Sequence, residues 1–430
     1  MKKITSFGEQ VFTVLSLLQY SGGPLTLILS GGANQEDVVD ADYFLNYVLF
    51  LLIYAVTIFL LIARWKKVIY VLSKDKFIWV LMVIIVISVF WSYVPAMTLR
   101  RSLTMIGPTL FGLYLATRYT LRQQLQLLGW MFGIAVLLSL LFGVALPKYG
   151  VMGGIHAGAW RGIYFNKNSL GKMMIPSAMT FLLLAVSTRR NRWLLWCGFS
   201  LSVSLLLLST SKSSQINLVQ LIAAFFAFRT FRWRYELMIP ALIAIATVGG
   251  GLSVLFTTNA DTVLGSLGKD ATLTGRTDLW PYVLEMIEKR PWLGYGYSGF
   301  WLGLDGESAY IWRATGWKPP NAHNGVLDLW LDLGLLGVSV FLLGFWTSVF
   351  RALAWARLSR TSDGLWPVIY ITFIVLANLT ESTLLERNSL HWILYVAVVL
   401  SILITPEQPT KLVTSTQSQT IAVSSNTLTS

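Results

Sequence analysis

The chain has 430 residues, of which 55% are hydrophobic and only 12% are charged, and its mean hydropathy is +0.63. A soluble domain of this length would not tolerate that composition, so we predict an integral membrane protein. The net charge of +13 does not indicate nucleic-acid binding, because the basic residues are scattered among short loops. The only cysteine, Cys197, lies in an apolar stretch, which excludes disulfide bonds and thiolate metal sites.

The apolar stretches predict an all-α, polytopic fold of about twelve transmembrane helices, each near the roughly 20 residues needed to cross a bilayer. The expected spans are 10–30, 43–63, 77–95, 102–118, 125–146, 170–187, 192–209, 213–228, 236–256, 324–350, 365–381 and 389–405. The sequence Ser21-Gly22-Gly23-Pro24 predicts a kink or break in the first span.

These spans divide the chain into four parts. Residues 1–256 contain helices one to nine, 257–322 form one long loop, and 323–405 contain helices ten to twelve. The tail at 406–430 is rich in Ser, Thr and Gln, and we predict a disordered cytoplasmic segment.

Basic residues set the expected orientation. Clusters such as Arg64-Trp65-Lys66-Lys67 fall in loops that the positive-inside rule assigns to the cytoplasm, which accounts for more than half of the 33 Lys and Arg residues. Other cations are predicted at the external face, among them Arg100, Arg101, Arg161, Lys212 and Arg276. Since orientation rules work against external cations, we expect a bound anion, with a lipid-linked diphosphate as the first candidate.

Two predicted external segments, 147–170 and 257–322, are longer than the other loops, and long loops tend to carry binding and catalytic residues. The first has several glycines around Arg161. The second has its own helix signal, because Thr277 or Asp278 can cap a segment that reaches Arg290 and Pro291 ends it. One face of that helix is apolar and consists of Leu279, Val283, Met286 and Ile287. We expect the apolar face of this amphipathic helix to pack on the bilayer surface or on the transmembrane helices.

Three local patterns follow one another along the chain. They are Trp160-Arg161-Gly162-Ile163-Tyr164-Phe165-Asn166-Lys167-Asn168, Gly275-Arg276-Thr277-Asp278-Leu279-Trp280 and Asn321-Ala322-His323-Asn324-Gly325-Val326-Leu327-Asp328. With the pair Arg100-Arg101 and the segment Ser209-Thr210-Ser211-Lys212-Ser213, they resemble the O-antigen ligase and polymerase family. That family includes WaaL-type ligases, Wzy-like polymerases and ExoQ-type exopolysaccharide proteins. Where the family often has Arg, this chain has Lys212, which lacks the forked geometry of a guanidinium.

The resemblance implies a glycosyltransferase of the bacterial inner membrane that uses no metal or cofactor and faces the periplasm or exterior. A glycan would leave an undecaprenyl diphosphate carrier and join a hydroxyl acceptor, on a glycan or on the lipid A core. Arg161 and Arg276 can neutralise the departing diphosphate. His323 can accept the proton of the acceptor hydroxyl, since imidazole titrates near neutral pH. Further candidates for contact with the diphosphate are Arg100, Arg101, Lys212, Asn166, Asn168 and Asn324. Membrane lipid is the other expected partner, and nucleic acid is not expected.

Each candidate also has a structural interpretation. Arg161 can bind backbone carbonyls, Arg276 can form a salt bridge at the start of a helix, and His323 can hydrogen-bond a loop beside the helix cap Asn324. Arg100 and Arg101 can bind lipid headgroups. Asp328 and Asp332 share a helix face, where they can orient an arginine or stabilise the first turns.

Three other functions stay open at the level of sequence. One is a transporter or flippase that moves an anionic lipid-linked glycan, which the absence of a visible internal repeat disfavours. Another is a non-catalytic assembly subunit. The third is a metal-dependent transferase that uses Asp40-Ala41-Asp42, although this short acidic pattern is more typical of a solvated loop. Within the favoured family, the sequences Phe165-Asn166-Lys167-Asn168 and His323-Asn324-Gly325 favour an exopolysaccharide polymerase.

Overall fold

A computed structural model of the protein describes residues 2–32, 44–230, 232, 236–237, 276–359 and 361–404. Within these ranges the secondary structure is helical, apart from an isolated bridge between Val151 and Trp160. The helices are α1 (Lys2–Tyr20), α2 (Pro24–Leu29), α3 (Phe44–Ile62), α4 (Trp65–Leu72), α5 (Phe77–Ile87), α6 (Pro95–Arg118), α7 (Leu121–Ala145), α8 (Pro147–Gly150), α9 (Lys167–Ser187), α10 (Arg192–Leu208), α11 (Lys212–Thr230), α12 (Arg276–Lys289), α13 (Ala309–Thr315), α14 (Gly325–Leu358), α15 (Trp366–Asn378) and α16 (Leu390–Ile404). The predicted all-α class is confirmed for this part of the chain.

Four helices, α3, α7, α9 and α14, are long and apolar enough to cross a membrane. Shorter apolar helices lie at Phe77–Phe90, Arg192–Leu208, Ser362–Asn378 and Leu390–Ile404. The protein is therefore a multi-pass membrane protein, and the count of about twelve spans stays a prediction. Several predicted features lie outside the described residues: the Asp40-Ala41-Asp42 loop, most of the ninth span (236–256), the first part of the long loop (257–275) and the tail (406–430).

The first predicted span contains the break expected from its sequence, whereas the fourth begins earlier in the structure than predicted. In the first, α1 ends at Tyr20 and α2 begins at Pro24, so the predicted break is present. In the fourth, the helix begins at Pro95 and not near residue 102, because proline is favoured in a first helical turn. Arg100 and Arg101 therefore lie inside α6 and not in the loop before it.

The most buried helix of the bundle is α16, in which every residue from Leu390 to Ile402 is buried. Its neighbour α6 approaches closely, because a Cβ on Gly112 would lie 2.7 Å from Val396 Cβ. Trp392 donates a hydrogen bond from its indole nitrogen to Thr109 Oγ1 at 2.8 Å. At the periphery, α3 exposes large apolar side chains, as expected of a helix that faces lipid.

The long helix α14 is broken at Gly334, whose backbone (φ 63°, ψ −168°) is not helical. The backbone of the preceding loop occupies the break: Leu335 N–H donates to Pro291 O at 2.8 Å, and Tyr295 N–H donates to Leu331 O at 2.8 Å. A Cβ at residue 334 would lie 2.2 Å from the carbonyl carbon of Trp292. Only glycine allows this approach, so the loop is attached to the bundle by backbone hydrogen bonds.

The predicted amphipathic helix is present as α12. Its apolar face is buried in a second core, and the residues of that face are Leu279, Val283, Met286 and Ile287. Glu285, Glu288 and Lys289 on the other face are exposed. The partners in the second core are Tyr295, Phe300, Ile311, Ala322 and Leu331. The sequence allows this helix to pack on the bilayer surface or on the transmembrane helices. In the structure its apolar face packs on its own loop and on the first segment of α14.

Candidate active site

His323 occupies a tightly fixed turn immediately before α14. Its φ of 49° lies in the left-handed region, which is uncommon for any residue but glycine and often marks functional positions. The His323 N–H donates to Asn321 Oδ1 at 3.0 Å. The next residue, Asn324, caps the helix, with its side-chain oxygen accepting from Val326 N–H (3.0 Å) and Leu327 N–H (3.2 Å). Asn324 thus has the role of a helix cap, and its predicted contact with substrate stays a prediction.

A carboxylate that the sequence analysis did not identify faces the imidazole. Glu381 Oε2 lies 3.8 Å from His323 Nδ1, and the two side chains are 18% and 17% exposed. At this distance the pair is an ionic contact without a direct hydrogen bond, and His323 Nδ1 has no hydrogen-bond partner among the described residues. A carboxylate beside imidazole stabilises the protonated ring, which is what a general base requires once it has taken a proton.

The short loop that carries Glu381 is held by the end of α15. Asn378 accepts hydrogen bonds on its side-chain oxygen from Thr383 N–H (2.8 Å) and Leu384 N–H (3.0 Å). A Cβ on Gly325 would lie 2.1 Å from that oxygen, so the start of α14 packs directly on the end of α15. The two loops that carry the imidazole and the carboxylate are therefore built on contacting helix ends.

Asp328 connects both loops. Its Oδ1 accepts from Trp301 Nε1 at 2.7 Å and from Ala322 N–H at 3.0 Å. Its Oδ2 accepts from the Ser382 hydroxyl. Ala322 precedes His323 in the chain and Ser382 follows Glu381, so one carboxylate positions the neighbours of both reactive side chains. Asp328 also lies in the first turn of α14, where the sequence allows it to stabilise the helix, and its contacts with the two loops were not predicted.

Helix α12, which begins at Arg276, is attached to the same turn. Trp280 of α12 donates from its indole nitrogen to Ala322 O at 3.0 Å, next to His323. The first turns of α12 are therefore neighbours of the His323 turn. The structure describes the backbone of Arg276 but not its side chain, so its contact with a diphosphate stays a prediction.

Arg161 is surrounded by backbone oxygen atoms. Its side chain donates to the carbonyls of Tyr149 (2.7 Å), Gly32 (2.7 Å), Lys148 (3.2 Å) and Phe165 (3.5 Å). Only 1% of the residue is exposed, and burial lowers the pKa of the guanidinium, although arginine stays charged at neutral pH. This geometry agrees with the structural role considered from the sequence, in which Arg161 binds backbone carbonyls and holds the 147–166 segment together. The predicted contact between Arg161 and a diphosphate stays a prediction.

Asn166, Asn168 and Lys212 lie where α9 and α11 begin. Asn166 caps α9, and its side-chain oxygen accepts from Ser169 N–H at 2.7 Å. Ser211 donates from its hydroxyl to Asn168 Oδ1 at 3.1 Å. Since Lys212 follows Ser211 and is the first residue of α11, the pattern that ends at Asn168 and the segment Ser209–Ser213 meet in space. Substrate contacts of these three residues stay predictions.

Contacts between helices bring this group to the end of the bundle that holds His323. Asn217 of α11 donates to the Leu376 carbonyl of α15 at 3.3 Å. Lys212 lies just before Asn217 at the start of α11, and Glu381 lies just after Leu376 beyond the end of α15. The start of one helix thus meets the end of the other, so Lys212 and Glu381 lie at the same end.

The arginine pair in α6 has two different environments. Arg101 is 7% exposed and donates to Ser298 O at 2.6 Å, whereas Arg100 is exposed. The backbone of Ser298 also makes a hydrogen bond to the carboxylate of Asp332. Arg101 and Asp332 therefore attach the loop to α6 and α14, which is a structural contact.

Glu381 and Trp317 are the site residues that sequence reasoning missed. Trp317 stacks on His323, with ring centroids 6.0 Å apart and an interplanar angle of 22°. Glu381 is the last residue of the predicted span 365–381, and a carboxylate at the end of an apolar stretch was the available signal. Trp317 had no signal beyond being one of many tryptophans.

The helical bundle, the long loop that is hydrogen-bonded to α14 and the imidazole–carboxylate pair define a multi-pass membrane protein with a candidate acid–base site. Residues 197–342 match the family model described as O-antigen ligase, which covers Lys212, Arg276 and His323. The chain is also 25% identical over 305 residues to the exopolysaccharide production protein ExoQ of Rhizobium meliloti (strain 1021), a match that covers 68% of this chain and 69% of that protein. The two matches support the family predicted from the sequence, the O-antigen ligase and polymerase family.

Proposed function

We propose that the protein is a membrane glycosyltransferase that moves a glycan from an undecaprenyl-diphosphate carrier to a hydroxyl acceptor at the extracytoplasmic face. The observation that carries this proposal is the His323–Glu381 pair, 3.8 Å apart, in which His323 is on the turn to which α12 is attached. An imidazole backed by a carboxylate suits the removal of a proton from an acceptor hydroxyl. The family match supports a role in polysaccharide synthesis.

The reaction would be a direct displacement. The acceptor oxygen attacks the anomeric carbon of the donor as its proton passes to His323, and the bond between that carbon and the diphosphate oxygen breaks. The electron pair leaves with the diphosphate, where Arg276 would stabilise the added negative charge. Glu381 would stabilise the imidazolium formed in the same step.

Of the two branches of the family, the exopolysaccharide polymerase is favoured. The support is the similarity to a protein named for exopolysaccharide production, which extends over about two thirds of both chains. In that case the acceptor is a sugar hydroxyl of a second glycan and not the lipid A core.

Deletion of the gene, followed by analysis of the lipid-linked glycans that accumulate, tests the branch. Single repeat units on the carrier would support a polymerase, and completed polymer on the carrier would support a ligase. Transfer by the purified protein in proteoliposomes, with the accumulated donor as substrate, tests the activity itself. Failure of wild-type protein to transfer glycan under conditions in which it stays folded would refute the proposal.

A further inference from the structure

A cleft lies in the loop beside His323, between the first turns of α12 and the end of α13. Its volume is about 540 Å³, within the range of about 300–1,000 Å³ typical of small-molecule sites. The lining residues are Asp278, Pro281, Tyr282, Ala314, Thr315 and Trp317. None of the candidates for diphosphate binding whose side chains the structure describes is among them.

The cleft is one aromatic ring away from the imidazole. Trp317 forms part of its wall and also stacks on His323, with ring centroids 6.0 Å apart. The opposite wall is formed by α12, whose Trp280 donates a hydrogen bond to the carbonyl of Ala322, next to the same histidine. A ligand that contacts Trp317 in the cleft would therefore share this ring with His323.

The lining has the chemistry of a sugar subsite. Tyr282 and Trp317 supply aromatic rings, and the electron-rich face of such a ring attracts the C–H groups on the apolar face of a pyranose. Asp278 is exposed in the first turn of α12 and can accept hydrogen bonds from sugar hydroxyls. The Thr315 hydroxyl donates to Ile311 O at 2.8 Å, which leaves its oxygen as an acceptor for another hydroxyl.

Charge argues against the carrier diphosphate as the occupant. The described residues that line the cleft include one carboxylate and neither lysine nor arginine. A diphosphate would be repelled by Asp278, whereas an uncharged sugar would not. The Tyr282 ring also makes an edge contact with Tyr310, with ring centroids 6.1 Å apart, and this contact holds the ring in its orientation.

We infer that this cleft binds a sugar residue of the acceptor glycan, next to the sugar whose hydroxyl His323 deprotonates. The inference rests on the proposed function as a glycosyltransferase and adds to it an acceptor subsite built from Tyr282, Trp317 and Asp278. It requires that the acceptor be an oligosaccharide, because a single sugar at His323 would leave the cleft empty.

The test uses full-length protein in nanodiscs and, as probe, the oligosaccharide released by mild acid from the lipid-linked glycan of the deletion strain. Tyr282→Ala should weaken probe binding roughly 3- to 10-fold, the loss expected from one aromatic stacking contact. In transfer assays the same variant should raise the acceptor KM by a similar factor and leave the donor KM unchanged. Asp278→Asn, which keeps the size of the side chain, should also raise the acceptor KM.

Trp292→Ala is the matched control, because this tryptophan is on the same loop, is 69% exposed and does not line the cleft. It should bind the probe as wild-type protein does. Transfer by wild-type protein with an unchanged acceptor KM in both cleft variants would overturn the inference and leave the proposed function intact. Probe binding that is lost in Tyr282→Ala, from a protein that transfers nothing, would support the subsite and refute the proposed function.

Discussion

Replacing Asp328 with alanine would remove the one acceptor shared by three parts of the site. The lost hydrogen bonds come from Trp301 Nε1 (2.7 Å), from Ala322 N–H (3.0 Å) and from the Ser382 hydroxyl. A hydrogen bond to a charged group contributes about 1.5–3 kcal/mol, so the three together contribute at most roughly 5–9 kcal/mol. Water that enters the vacated space would recover part of this.

The catalytic effect follows from the neighbours of those donors. Ala322 adjoins His323 and Ser382 adjoins Glu381, so both reactive side chains would lose a fixed backbone. A displacement of about 1 Å in an active site can cost ~10²-fold in rate, and we expect a decrease in kcat of that size. The donor KM should change little, because no atom of Asp328 is assigned to the donor. Asp328→Asn retains one acceptor oxygen and should give an intermediate rate.

The assay is glycan transfer in proteoliposomes, with the rate divided by the amount of folded protein. Asp305→Ala is the control, since Asp305 is an exposed acid of the same loop. If Asp328→Ala lowers the thermal stability but leaves kcat per folded molecule unchanged, the residue is structural and the positioning role is refuted. A kcat that falls without loss of stability supports it.

Four further substitutions separate the roles of the remaining charged residues. His323→Ala should lower the transfer rate by ~10²–10⁴-fold, the usual contribution of a general base, while the donor affinity stays near that of wild type; a near wild-type rate would reduce His323 to a loop residue. Glu381→Gln keeps the size of the side chain but removes the carboxylate that lies 3.8 Å from His323 Nδ1, so the imidazolium formed in the reaction loses a stabilising charge and the transfer rate should fall; an unchanged rate would contradict this role. Arg276→Lys keeps the charge but loses the fork and should sharply reduce transfer, whereas Lys212→Arg should be tolerated; equal activity of both variants would refute the distinction.

Local patterns predicted the parts of the fold that depend on nearby residues. The apolar face of α12, from Leu279 to Ile287, follows from helical spacing, and the break after Tyr20 follows from the sequence Gly22-Gly23-Pro24. His323 was a candidate because the order of residues around it resembles a family. None of these predictions required knowledge of which segments meet.

Contacts between distant segments could not be predicted in this way. Glu381 faces His323 only because the end of α15 packs on the start of α14 at Gly325. The backbone oxygen atoms around Arg161 include that of Gly32, from a segment far away in sequence, and the charge of the arginine alone could not predict this contact. A guanidinium satisfies either partner equally well, and sequence carries no information on which one is in reach.

The break at Gly334 explains how a loop can carry chemistry that needs fixed geometry. Loops are usually mobile, and a catalytic pair needs supporting groups that hold it within a fraction of an ångström. Here the backbone oxygen of Pro291 in the loop accepts a hydrogen bond from Leu335 N–H, just beyond the break in α14. The side chain of Asp328, before the break, accepts a hydrogen bond from Trp301 of the loop. These attachments lie on the two sides of the break, and together with the Asp328 contact to Ala322 they tie the turn that carries His323 to α14. A membrane helix broken by glycine at this point gives up part of its own backbone hydrogen bonding, and the loop restores it.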